Sequence, residues 1–180
     1  MNKDLFLIQY KMDTSQPDFD EIHYLIMALE DRRFMSHRGV DYKSIIREFF
    51  KKIRGKKHGG ASTIDMQMVR TITNYKEITL KRKTYEIILA FSVNFKYSKK
   101  QIINCYLQNA YFGYDLIGLE SACHKVYGKK SSDLNLHEKA RIAAMLLRPR
   151  PKKPSEKWEL AVKSRAAYAQ SVRMRMENSN

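Results

Sequence analysis

Apolar residues recur at three- and four-residue intervals along most of the chain, the spacing that lines one face of a helix. Ile22, Leu25, Ile26 and Leu29 form one such stripe, which ends at Glu30 and Asp31. Gly39 closes that segment, and Asp41 is placed to cap the next helix. Tyr42, Ile45, Ile46, Phe49, Phe50 and Ile53 keep the spacing for three turns, with Lys43, Arg47, Lys51, Lys52 and Arg54 on the rest of the wheel. Gly55 to Gly60 reads as a basic, glycine-bearing loop. From there the pattern predicts a helix from a Ser62 N-cap to about Ile72, with Asp65 three residues past the cap. A longer helix follows from Thr79 to Tyr97, and another runs from a Ser98 cap to about Tyr111, interrupted at Gly113. Two more cover Leu116 to Tyr127 and Leu136 to Leu147, the second preceded by the polar turn Ser131-Ser132-Asp133. Pro149, Pro151 and Pro154 break the chain before a last helix near Glu156 to Met176 and a polar tail. The pattern shows no internal repeat and no strand pair, so the expectation is a mainly α protein of about eight helices.

Composition narrows the class. The chain has 180 residues, 43% of them hydrophobic and 11% aromatic, enough for a packed core and too much for a wholly disordered chain. Seven glycines and four prolines exclude collagen-like and linker-like sequences. Lys and Arg total 34 against 19 acids, a formal charge of +15. That balance points to an anionic partner, whether nucleic acid, a lipid surface or a phosphate-bearing substrate. Cys105 and Cys123 are too few for a disulfide framework and lack metal-ligand spacing, so they read as buried free thiols. No run approaches the ~18 apolar residues of a membrane span, and Leu5-Phe6-Leu7-Ile8 is too brief for a signal peptide. The expectation is a chain with no signal or transmembrane segment of its own.

Three constellations carry chemistry. In Glu30-Asp31-Arg32-Arg33-Phe34-Met35-Ser36-His37-Arg38-Gly39, two carboxylates end an apolar helix. A carboxylate at such an edge can be tuned toward general acid or base work; the plainer reading is a charged C-terminal turn. In Gly59-Gly60-Ala61-Ser62-Thr63-Ile64, glycines lead into a capped helix start, where free N–H groups and the helix dipole favour an anion. The plainer reading is a flexible loop and a cap, and the Gly-Lys-Ser/Thr ending of a P-loop is absent. In Lys81-Arg82-Lys83-Thr84-Tyr85-Glu86, Arg82 and Lys83 share a helix face with Glu86, a grouping that could hold a pyrophosphate or could be a solvated ion-pair face.

The order and spacing of these segments go further. Glu30-Asp31-x-x-Phe34-x-x-His37-x-Gly39, then Gly60-Ala61-Ser62-Thr63-Ile64-x-x-Gln67, then Arg82-Lys83-x-x-Glu86 resemble the peptidoglycan glycosyltransferase family. That family is the lipid II polymerase module of class A penicillin-binding proteins and the monofunctional transglycosylases. Ser98-Lys99 with Ile102-Ile103 and Tyr106-Leu107, Tyr111-Phe112-Gly113, Gly118-x-Glu120-x-Ala122, Tyr127-Gly128-Lys129 and Leu136-x-Glu138-x-Ala140 continue the resemblance in order. It spans residues 22–150 of what reads as one glycosyltransferase-like domain, 1–180, with a C-terminal helix and tail over 151–180.

The resemblance implies a lysozyme-like helical fold with a small membrane-facing lobe. It implies a reaction in which a glycan on undecaprenyl pyrophosphate is transferred, with inversion, to the 4-hydroxyl of a lipid-linked disaccharide, forming a β-1,4 link. On this basis Glu30 and Glu86 are expected to be catalytic, Glu30 as the base and Glu86 orienting either the donor phosphate side or the cations. Asp31, Phe34, His37, Ser62, Thr63, Gln67, Arg70, Arg82 and Lys83 are expected to bind substrate, with Arg70, Arg82 and Lys83 on the pyrophosphate. No protein metal site is expected, although the reaction leaves room for a divalent ion, Mg or Mn. Expected partners are the lipid-linked sugar, an anionic membrane surface, which the basic amphipathic segment Tyr42 to Ile53 suits, and other cell-wall synthesis proteins; nucleic acid is not expected. The resemblance places the chain at the periplasmic face of the inner membrane.

The chain also departs from the family. Asp65-Met66-Gln67-Met68 stands where Thr-Gln-Gln-Leu is usual, Arg70-Thr71 where Lys-Asn is usual, and Asn104 where a Glu precedes Tyr-Leu-Asn, of which the last residue is here Gln108. Asp65 at a helix start facing phosphate would oppose the donor, so restoring Thr and Gln at 65 and 66 is expected to raise turnover of ordinary lipid II. The alternative is a non-catalytic glycan- or lipid-binding relative. A lysozyme-like hydrolase or lytic transglycosylase needs no pyrophosphate grip, which the cluster at Arg70, Arg82 and Lys83 supplies. A nucleic-acid binder would account for the charge and for none of the motifs.

Overall fold

A computed structural model describes residues 2–14, 19–55, 62–75, 77 and 79–177. Among them lie nine α-helices and one two-stranded sheet, a mainly α, lysozyme-like architecture. The glycine-bearing loop at 56–61 lies outside the described residues, and with it the expected anion site at Gly59-Gly60.

The chain forms two compact units. The first takes residues 1–17 and 30–106, and the second 18–29 and 107–180. In the first, α1 (Asn2–Asp13) packs on α4 (Ile64–Thr73), and α4 packs on α5 (Leu80–Lys96). The core between them is apolar: Ile8 and Met12 from α1, Met68, Val69 and Ile72 from α4, Leu89, Ala90 and Val93 from α5. Burial of such side chains contributes roughly 1.5–3 kcal/mol each. The sequence pattern did not yield α1, because only Ile8 and Met12 on it are buried and two residues four apart make no stripe. The Tyr85 hydroxyl bonds Asp4, and the Tyr97 hydroxyl reaches Asp13 at 3.2 Å, so α1 is also held to α5.

Of the expected caps, Asp41 stands and Ser62 gives way to its neighbour. Asp41 caps α3 (Tyr42–Ile53): the Ser44 N–H and hydroxyl donate to its carboxylate at 3.2 and 2.5 Å, and Arg33 pairs with it. Burial alone would raise the Asp41 pKa, but the Ser44 and Arg33 hydrogen bonds outweigh it and hold the group at about 2. The cap of α4 is Thr63, not Ser62: its hydroxyl accepts the Met66 N–H at 3.3 Å and donates to the Gly39 carbonyl at 2.6 Å. Gly39 has φ +85°, and a Cβ there would lie 2.7 Å from the Ala90 carbonyl oxygen. The loop after Asp31 can therefore approach α5 only with glycine at this position. Helix α6 (Lys99–Asn109) contributes its residues up to Tyr106 to the first unit.

In the second unit α8 (Leu136–Leu147) and α9 (Glu156–Glu177) form the main pair, closed by Ala140, Ala143, Ala144, Val162, Ala166 and Ala169. Asn135 and Glu138 form a capping box at the start of α8. Lys139 pairs with Asp20 at 2.7 Å, beneath α2 (Glu21–Glu30). The region expected as helix near Tyr111 is instead a short hairpin, β1 (Tyr111–Gly113) and β2 (Leu116–Ile117), followed by α7 (Leu119–Tyr127). At Gly113, φ is +151°, and a Cβ would lie 2.4 Å from the Arg150 carbonyl oxygen, because the proline-bearing segment runs beside it. Cys105 and Cys123 are buried free thiols, each pushed up to about 12 by burial.

Candidate active site

Helix α4 organises the site. Ile64, Asp65, Met66, Met68, Val69 and Ile72 are buried, while Gln67, Arg70, Thr71 and Thr73 are half-buried. Gln67 and Arg70 stand three apart and so share one face, a turn from each other. Gln67 donates from Nε2 to Glu30 Oε2 at 2.9 Å. Arg70 donates from Nε and Nη2 to the two Glu86 oxygens at 2.8 and 3.0 Å. One helix face thus holds both carboxylates expected to be catalytic, Glu30 from the end of α2 and Glu86 from the middle of α5.

The two carboxylates differ in surroundings. Glu86 is 1% exposed, gripped bidentately by Arg70 and met by Arg82 Nε at 3.1 Å. A carboxylate so buried is stable only when paired. The Glu86 hydrogen bonds hold Arg70 above the usual guanidinium range. Lys83, half-buried in the same cluster, donates to Ser62 Oγ at 2.9 Å. Burial lowers the Lys83 pKa, Glu86 raises it, and Arg70 and Arg82 lower it again. Three cations around a single carboxylate leave a surplus of positive charge where the last turn of α4 meets the first turn of α5, suited to a polyanion. Glu30 is half-buried.

Asp31, Phe34, His37 and Thr63 form a second, inward-facing group. Asp31 Oδ2 accepts from His37 Nε2 at 2.9 Å and from the Ile64 N–H, the first free amide of α4, at 3.2 Å. Phe34 is fully buried, edge-on to the His37 ring and with Lys99 Nζ 4.3 Å from its ring centre. Thr63 is the α4 cap. These four side chains are buried beside the chain segments that carry Glu30 and Gln67. The side-chain hydrogen bonds of Asp31, His37 and Thr63 are to other protein groups, while His37 Nδ1 is buried without a hydrogen-bond partner among the described residues.

Asp65 stands with this group, and its placement corrects the expectation that it opposes a bound phosphate. It is fully buried and faces inward, with Lys99 Nζ 2.9 and 3.0 Å from its two oxygens and the Asn94 amide 2.6 Å from Oδ1. Burial lowers the Lys99 pKa, and Asp65 offsets that. Met66, where the family usually has Gln, is an ordinary core side chain, fully buried.

Asp31, His37 and Asp65 bring three ligand-type atoms within 4.8 Å of one another, the one such group among the described residues. They do not fit a divalent metal. The Lys99 ammonium already sits against both Asp65 oxygens, and a second cation beside it in a buried place would be repelled.

Sequence reasoning missed the Asp65–Lys99–Asn94 contact and Tyr106, whose hydroxyl donates to Gln67 Oε1 at 2.8 Å. Their partners lie 29 to 39 residues away along the chain, and no local spacing signals such pairs.

A family model and several curated relatives match the chain. A family model described as Transglycosylase matches residues 12–175. Penicillin-binding protein 1A of Clostridium tetani is 36% identical over 148 residues, 79% of this chain and 18% of that protein. Penicillin-binding protein 1F of Bacillus subtilis is 36% identical over 136 residues, 75% of this chain and 18% of that protein. Penicillin-binding protein 2a of Streptococcus pneumoniae is 34% identical over 147 residues, 82% and 20%. The chain spans about a fifth of the length of these relatives.

Proposed function

Because the chain belongs to the transglycosylase family of peptidoglycan glycosyltransferases, we propose that it polymerises an undecaprenyl-pyrophosphate-linked disaccharide of lipid II type with inversion at the anomeric carbon. The observation that carries the reading is the single face of α4 that ties Glu30, through Gln67, to a cation cluster one turn on, through Arg70. Inversion needs a base on one side of the reacting sugar and leaving-group stabilisation on the other. Glu30 accepts the proton of the acceptor 4-hydroxyl as that oxygen bonds to the anomeric carbon. The pyrophosphate departs with the electrons of the broken bond, and Arg70, Arg82 and Lys83 stabilise its charge. Glu86, bidentate on Arg70 and nearly sealed from solvent, orients the cations rather than the reacting atoms.

The test is polymer formation from labelled lipid II by the purified chain, resolved on a gel. Arg82→Ala and Lys83→Ala should each weaken the dependence on donor concentration by roughly 10-fold, the scale of a lost charge-assisted contact. Arg82→Lys should recover part of it, since a fork-shaped contact becomes a point charge. Wild-type behaviour of both alanine variants would make the cluster a solvated face. A folded wild-type chain that forms no polymer from any lipid-linked sugar would point to a non-catalytic relative.

Helix α3 supports a membrane-associated setting. Among its described side chains, the apolar Tyr42, Ile46, Phe50 and Ile53 are 52–66% exposed and Ile45 is half-buried, while the buried Ser44 and Glu48 are polar. Arg47, Lys51 and Arg54 flank the exposed stripe. A helix turned apolar side out, with cations beside it, suits an anionic lipid interface. Among the described residues no helix is long and apolar enough to cross a membrane. Ile46→Asp with Phe50→Asp should lower binding to vesicles containing anionic lipid at least ~10-fold, through lost apolar burial, with the fold kept because both side chains are exposed. Unchanged vesicle binding in sedimentation would remove α3 from the interface.

A further inference from the structure

We infer that Tyr106 is a positioning residue for the transfer reaction, acting through Gln67 to aim the Glu30 carboxylate. The inference rests on the proposed role of Glu30 as base. Tyr106 is 5% exposed, and its hydroxyl needs a buried acceptor, which Gln67 Oε1 supplies at 2.8 Å. The other end of the same amide donates to Glu30 Oε2 at 2.9 Å. A glutamine amide has one accepting and one donating end, so the bond it receives decides which end it presents. With the phenol donating to the oxygen, the NH2 must face Glu30. Turned around, the amide would set its oxygen against a carboxylate, two acceptors with no proton between them.

Each member of the chain stands on an ordered element. Tyr106 is on α6. Gln67 is on α4, which is capped by Thr63 at one end and by Asn74 in a left-handed conformation at the other. Glu30 is the last residue of α2, where helix geometry restrains a side chain least. The phenol is apt for a fixed donor: burial first, and then the Glu30 charge, push its pKa upward, against a lowering by Arg70, so it keeps its proton. Tyr106 on α6 lies within electrostatic reach of both Glu30 and Arg70 on α4, and Asp31 follows Glu30 in the chain. Arg70 remains paired with Glu86, and Asp31 with His37, when the phenol is removed.

Tyr106→Phe deletes the hydroxyl and keeps the ring. The Gln67 oxygen then lacks its donor, and the amide can turn that oxygen toward Glu30. A carboxylate facing a carbonyl oxygen favours its protonated form, so the base is both misaimed and harder to ionise. The experiment measures kcat, KM for lipid II and the pH–rate profile for wild type, Tyr106→Phe, Gln67→Met and the double variant, alongside Glu30→Gln. Tyr106→Phe should lower kcat roughly 10-fold, leave KM within about twofold, and move the acidic limb of the profile to higher pH. In the Gln67→Met background, where no amide remains to be oriented, Tyr106→Phe should add nothing. A wild-type kcat and profile in Tyr106→Phe, with Glu30→Gln inactive, would overturn this inference and leave the Glu30 reading standing. A loss equal at every pH that persists in the Gln67→Met background would make Tyr106 a packing residue only. Full turnover in Glu30→Gln would overturn the base itself, and this inference with it.

Discussion

Glu30→Gln should lower turnover of lipid II at least ~100-fold, the scale of a lost general base. The substitution keeps side-chain size and removes the proton acceptor. It also keeps the local contact, because an amide oxygen at the same place still accepts from Gln67 Nε2, now 2.9 Å from the carboxylate. Glu30 is half-buried at the end of α2, so secondary structure by circular dichroism and the thermal midpoint should match wild type. KM for the lipid-linked donor should change little, since the cations that meet the pyrophosphate are on α4 and α5. A folded variant with wild-type turnover would remove Glu30 from the mechanism.

The second large effect is on stability. Asp65→Thr, which restores the commoner family residue, should destabilise the chain by about 3–5 kcal/mol, the usual consequence of removing one partner from a buried ion pair. The Lys99 side chain is 14% exposed and has both oxygens of a fully buried carboxylate as partners. Without Asp65 the ammonium keeps the Phe34 ring and the more distant Asp31 charge. At about 2–4 °C per kcal/mol for a chain of this size, the thermal midpoint should fall by roughly 10 °C. Asp65→Leu with Lys99→Met removes both charges together and should recover most of the loss. The sequence alone led to a different expectation for this position, a gain in turnover on repair. The structure turns that around because Asp65 faces Lys99 and Asn94 inside the unit. A thermal midpoint unchanged in Asp65→Thr would show that the pair contributes nothing.

Much of the site was legible in the chain because its parts are local. Asp41 as a cap, the shared face of Arg82 and Glu86, and the inward stripe of α2 all follow from spacings of three and four residues, and the structure holds each of them. Glu30, Gln67, Arg70, Lys83 and Glu86 could be named from motif order, and they do converge on α4 and α5. The short hairpin at Tyr111–Gly113 escaped because three residues are too few for a period, and its formation depends on the Arg150 segment alongside. The α4 cap fell one residue later than expected because Thr63 has a second bond, to the Gly39 carbonyl, that Ser62 lacks.

What the amino-acid sequence determined by itself was therefore the helical class, the Asp41 cap, the cationic surplus and the family motifs, most of them set by neighbours within about one or two turns. What only the tertiary structure decided was direction: which carboxylates look outward and which are held inside. Glu30 and Glu86 are both glutamates in helices, yet one is half-exposed on a glutamine and the other sealed under two arginines. Asp31 and Asp65 are both acids, one matching its motif and one departing from it, yet each is turned inward, to His37 or Lys99. Burial and long-range pairing set those roles, through desolvation and the need of each buried charge for a partner. Partners brought together from 16 to 37 residues apart leave no mark in local spacing.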